Sequence, residues 1–135
     1  GLLHRCDPRY TMALSQSDTM TIPANEAAGS GVRASVSGPV FSHNGDVLQM
    51  RYSARKRNII WKNDSVVREA IAALQEILDS CAELAVTHRL LPGEGLVCNN
   101  VPHRRDGFTD SSQPECARLI YRGRYTQALT TMVLR

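Results

Sequence analysis

Aromatic residues are scarce in this sequence: they make up 5% of 135 residues, with a single tryptophan, Trp61. The core must therefore be built from Leu, Ile, Val, Ala and Met. Cysteine is sparse and scattered. Cys6, Cys81, Cys98 and Cys116 form no CxxC pair, which argues against a zinc site made from cysteine alone. A disulfide framework is a device of small chains with weak cores, and 42% of these residues are hydrophobic. The four thiols read instead as buried or half-buried groups in a reducing, cytosolic setting. No apolar run approaches the ~20 residues of a membrane-spanning helix, and Gly1–Asp7 is too short and polar for a signal peptide. Neither sign of charge dominates. A net charge of +3 is too mild to argue for nucleic acid or a membrane as partner.

What is present fits one soluble domain, residues 1–135, with one modest core. The chain starts at Gly1 rather than at Met, which suits a piece of a longer gene product. Pro8 predicts a short helix, because proline is tolerated in the first turn. Residues 17–38 are rich in Ser, Thr, Gly and Ala and read as a loop with one short strand at Met20–Ile22. Asn44-Gly45 between two β-prone runs predicts a hairpin. After it, Val47, Gln49 and Arg51 alternate with Leu48, Met50 and Tyr52, as in a strand with one buried face. The spacing of Val67, Ala70, Ile71, Leu74, Ile77, Leu78 and Cys81 predicts a helix over 64–81, capped by Asn63 or Asp64. Strands are expected at 83–91, 95–100 and 117–125, with Pro92-Gly93-Glu94-Gly95 as the first turn between them. The fold class expected is mainly β with one main helix, an α+β arrangement of antiparallel strands.

The informative stretch is Gly95-Leu96-Val97-Cys98-Asn99-Asn100-Val101-Pro102-His103-Arg104-Arg105-Asp106-Gly107-Phe108, followed by Arg118-Leu119-Ile120-Tyr121-Arg122-Gly123-Arg124-Tyr125. A strand runs into a histidine, a loop follows, and then comes an arginine-bearing strand. If 117–125 is a strand, Arg118, Ile120, Arg122 and Arg124 share one face, while Leu119, Tyr121 and Tyr125 share the other. This order resembles the C-terminal signature of the taurine dioxygenase-like (TauD/TfdA-like) family, which shows Asn, then His-x-Arg, then an Arg-rich strand. Gly38-Pro39-Val40-Phe41, Arg51-Tyr52-Ser53-Ala54-Arg55 and the Leu91–Gly95 turn are similar to the same half of that family. The likeness covers roughly residues 38–125, about two-thirds of the chain.

The resemblance implies part of a double-stranded β-helix, or jelly roll. It implies an oxidoreductase using iron(II), 2-oxoglutarate and molecular oxygen on a small organic substrate. Non-haem iron of this kind is held by two histidines and one carboxylate. His103 matches the family's late histidine and is the expected metal ligand. Arg118 matches the residue that anchors the far carboxylate of 2-oxoglutarate, a task suited to a planar, permanently charged guanidinium. Arg122 matches a position that touches the cosubstrate or an anionic substrate group, which hints at an acidic or zwitterionic substrate. Arg105 reads as a supporting arginine.

One departure is plain. The family's other ligands form His-x-Asp or His-x-Glu, and this chain has neither. It has His4-x-x-Asp7, His43-x-x-Asp46 and His103-x-x-Asp106, a spacing that on a strand points the two side chains to opposite faces. These 135 residues alone are therefore expected not to turn over. A sheet cut in its middle also leaves edges that invite self-association or pairing with another chain. The competing reading is a non-catalytic anion- or partner-binding module using Arg118, Arg122 and Arg124. Single-stranded nucleic acid is disfavoured as its ligand, because the tyrosines fall on the opposite face from the arginines.

Overall fold

Short-range signals account for most of the regular structure. In a computed structural model, residues 1–25, 33–54, 58–98, 101–109, 111–113 and 118–123 are described. The chain begins with helix α1 (Leu2–Cys6) and, after one extended residue, helix α2 (Pro8–Leu14). Pro8 occupies the first helical turn, as expected. The Asp7 carboxylate caps α2 by accepting from Arg9 N at 2.8 Å, and it pairs with the Arg9 guanidinium at 2.7 Å. The side-chain hydrogen bonds from Arg9, followed by its backbone amide, hold the Asp7 carboxyl below its ordinary range.

Three short strands follow the helices at long range: β1 (Met20–Ile22), β2 (Val36–Gly38) and, after a hairpin, β5 (Ile60–Trp61). They form an antiparallel sheet with β1 at its centre. Met20 stands opposite both Gly38 and Trp61. The hairpin pairs β3 (Phe41–Asn44) with β4 (Val47–Met50), so that Asn44 faces Val47. The two-residue turn is thus Gly45-Asp46, one residue beyond the expected Asn-Gly. Gly45 takes φ +58° at the first central position, where a II′ turn calls for glycine. Only the far end of β4 turns inward: Met50 and Tyr52 pack against the core, while Leu48 is exposed.

Helix α3 (Ser65–Ser80) is the main helix. Its N-cap is Asp64, whose carboxylate accepts from Val67 N at 3.0 Å. Val67, Ala70 and Leu74 are buried on its inner face against Leu3, Ala13, Leu14, Met20 and Val40. Burying a Val or Leu side chain fully contributes roughly 1.5–3 kcal/mol, so this face is what fixes α3 to α1 and α2.

Two polar ties join these parts. Thr19 is fully buried, and its hydroxyl shares its proton between the carbonyls of Ala13 (2.7 Å) and Gln16 (2.9 Å). Arg51, just after β4, donates from Nη2 to the Met20 carbonyl at 2.8 Å and to that of Val36 at 3.3 Å. The space for its guanidinium exists because residue 38 is glycine: a Cβ there would stand 2.9 Å from Arg51 Nη1.

The architecture is therefore α+β with small antiparallel sheets, in two compact units, Gly1–Pro92 and Gly93–Arg135. Three expected strands differ from what is found. Ala82–Leu84 is one 3₁₀ turn, and residues 85–91, 95–98 and 118–123 form no strand. Residues 99–100, 117, 124 and 125 lie outside the described set. A β-prone run becomes a strand only when a neighbour completes its ladder, and among the described residues none pairs with these runs. The expected common face of Arg118, Ile120 and Arg122 is corrected with the strand that would have created it. The thiols also differ from expectation. Cys81 is half-buried, but Cys6 and Cys98 are exposed, and Cys116 lies outside the described residues. No described helix is long and apolar enough to cross a membrane.

Candidate functional site

The residues singled out by sequence fall in the second unit, in irregular backbone where every described residue from Gly93 to Gly123 is exposed. His103 follows Pro102, a residue that fixes its own φ and keeps the preceding Val101 extended. The His103 ring turns back on this short segment, with Nδ1 2.8 Å from the Val101 carbonyl oxygen. A carbonyl can only accept, so in this contact Nδ1 carries the proton. In the neutral ring the lone pair then belongs to Nε2, the atom left to bind a metal or receive a proton. Backbone carbonyls orient metal-binding histidines in this manner.

Five residues beyond His103, Phe108 gathers two cations. The Arg118 Cζ lies 3.4 Å from the centroid of its ring, and the Arg105 Cζ lies 5.2 Å from it. Both fall within cation–π range. Arg118 is thereby brought to the loop that starts at His103, as the anchoring role needs, although it arrives without a strand to carry it. Arg122 is exposed. Arg105, read from sequence as a supporting residue, shares the ring with Arg118. Phe108 had no role in the sequence reading. Its signal was available only as position, an aromatic residue inside the arginine-rich loop of an aromatic-poor chain.

The three His-x-x-Asp pairs do not supply a substitute metal site. His4 is on α1, and Asp7 is committed to Arg9 and to the cap of α2. His43 lies on β3 and Asp46 in the hairpin turn. Among the described residues, no three His, Cys, Asp or Glu side chains come together as a metal-binding group. The described donors thus fit one position of an iron site and do not complete it.

The first unit has an open cavity of about 440 Å³ at the ends of α1 and α3, lined in part by Leu2, Arg5, Cys6, Ile77 and Cys81. None of the residues singled out from the sequence lines it. Comparison with protein-family models, with curated proteins and with solved structures finds no match to this chain.

Proposed function

We propose that the chain is the C-terminal portion of an iron(II)- and 2-oxoglutarate-dependent dioxygenase domain of the TauD/TfdA-like kind, acting on a small acidic or zwitterionic organic substrate. The observation that carries this reading is the His103 ring, whose Nδ1 is engaged by the Val101 carbonyl so that Nε2 is the free ligand atom. The sequence order around it supports the same reading, with Asn99-Asn100 and His103-x-Arg105 ahead of Arg118 and Arg122.

In this reading each residue has a bounded task. His103 offers one nitrogen to the metal. Arg118 accepts the far carboxylate of 2-oxoglutarate on its planar N–H edge. Arg122 faces an anionic end of cosubstrate or substrate. The remaining ligands are not among the described residues, so no reaction step is drawn through iron. The 135 residues alone are inactive, work in a reducing, cytosolic compartment, and depend on pairing with further chain to complete the jelly roll.

The test is formation of succinate from 2-oxoglutarate, with iron(II) and oxygen, by the protein expressed from its complete gene. His103→Ala should reduce turnover by more than about 100-fold, since even second-shell changes cost 10–100-fold. Arg118→Ala should raise the KM for 2-oxoglutarate by roughly 10- to 150-fold, the loss of one charged hydrogen-bonding partner. No succinate, or a His103→Ala variant as active as the parent, would sink the reading. A monomeric 135-residue chain that oxidises substrate would sink its claim of incompleteness.

The placement of two guanidiniums around an exposed Phe108 ring specifically favours a second reading, a non-catalytic anion-binding module. Anion binding that falls steeply with salt, without succinate formation, would select it.

A further inference from the structure

We infer that Phe108 is a positioning residue for anion recognition: its ring holds the guanidiniums of Arg118 and Arg105 as one two-cation element for a ligand carboxylate. The inference rests on the proposed anchoring role of Arg118, though not on iron.

The geometry carries it. A planar cation whose central carbon is 3.4 Å from a ring centroid lies against the ring face to face, because a tilted one would drive a nitrogen into the π cloud. Face contact uses the surface of the guanidinium that makes no hydrogen bonds. Its five N–H donors point outward in the plane, toward acceptors at the edge. The ring thus restricts a long, flexible side chain to an orientation in which the fork is presented edge-on. Arg105, 5.2 Å from the same centroid, adds a second positive charge to the same locus. Two like charges around one ring repel, and the negative ring face offsets only part of that repulsion. A carboxylate at the guanidinium edges relieves the rest.

The element therefore favours a ligand with a carboxylate at its far end over an isosteric one ending in a methyl group. Arg105 becomes a second contributor to the same recognition. Phe108 itself makes no hydrogen bond to the ligand and acts through the arginines.

Calorimetric titration of the 135-residue chain with glutarate is the test, because it reads carboxylate capture without turnover. Phe108→Leu should weaken glutarate binding by roughly 2- to 30-fold, the range of one cation–π contact. Phe108→Trp, which keeps a π face, should bind like the parent. In the protein from the complete gene, Phe108→Leu should raise the KM for 2-oxoglutarate with kcat within about twofold, as expected when uniform binding is lost. It should also narrow the preference for 2-oxoglutarate over 2-oxopentanoate. Equal glutarate affinity in Phe108→Leu and parent would overturn the inference, as would a parent chain that does not bind glutarate. If glutarate binds as described but no succinate forms, the dioxygenase reading fails while the role of Phe108 stands.

Discussion

The two units of this chain spend similar residue types in opposite ways. In Gly1–Pro92, leucines and valines from α1, α2, α3 and the strand ends meet in one core, with Leu14 and Val67 fully buried. In Gly93–Arg135, Leu96, Val97, Leu119 and Ile120 are all exposed, and no described residue belongs to a helix or strand. The difference lies in how each segment satisfies its backbone. A helix such as α3 closes its hydrogen bonds internally and needs only a surface for its apolar stripe. A β-prone run needs a second strand, and the described part of the second unit supplies none. The first unit is thus a scaffold, and the second is a chemically rich segment whose arginines, histidine and phenylalanine organise each other locally.

This contrast is sharpest under core truncation. Leu74→Ala should destabilise the protein by roughly 2–5 kcal/mol, the range for a buried leucine. Leu119→Ala should change stability by less than about 0.5 kcal/mol, as for an exposed position. Denaturant melts of the two variants give the comparison, and similar losses would abolish it. Arg51 comes next. Arg51→Ala leaves the Met20 and Val36 carbonyls without this donor and should cost about 1–3 kcal/mol. Gly38→Ala should then cost less in the Arg51→Ala background than alone, because the atom its Cβ would meet is gone. A double-mutant cycle with no coupling would show that Gly38 is not there for Arg51.

A smaller effect should follow loss of a cap. Asp64→Ala removes the acceptor for Val67 N and should cost about 1 kcal/mol, with Asp64→Ser recovering most of it. Smallest is the acid dependence of the first unit. The Asp7 carboxyl is lowered chiefly by hydrogen bonds from Arg9, and that of Asp18 chiefly by the hydrogen bond from Lys62, both from an ordinary 3.8. A depressed folded-state value stabilises the fold above the unfolded value, and that contribution fades as pH falls through the folded one. The melting temperature should therefore decline as pH drops below about 4, with Asp18→Asn flattening the slope slightly, since both pairs are solvent-screened. An unchanged slope in Asp18→Asn would remove Lys62 from the account.

What the sequence revealed follows the same division. The α3 span, its Asp64 cap and the Pro8 helix were readable because each is written within a few residues. The hairpin was readable as well, with its turn displaced by one residue from Asn44-Gly45 to Gly45-Asp46. Helix α1 was not readable, since five residues are too few to show a period. The β2–β1–β5 order was also hidden, because it joins residues tens of positions apart. The runs at 83–91, 95–100 and 117–125 read as strands on composition, but propensity does not supply partners. At the candidate site, His103, Arg118 and Arg122 were singled out by motif order. The stack on Phe108 was missed because it depends on a loop fold that brings Arg118 back to a residue ten positions earlier.

The most direct test of the account is the ¹⁵N spectrum of the His103 ring in the protein from the complete gene, before and after zinc(II) is added as a diamagnetic stand-in for iron(II) with 2-oxoglutarate. The account predicts a neutral ring with the proton on Nδ1, and a metal-dependent shift at Nε2. A proton on Nε2, or a His103 resonance that ignores the metal while His43 or His88 responds, would contradict it.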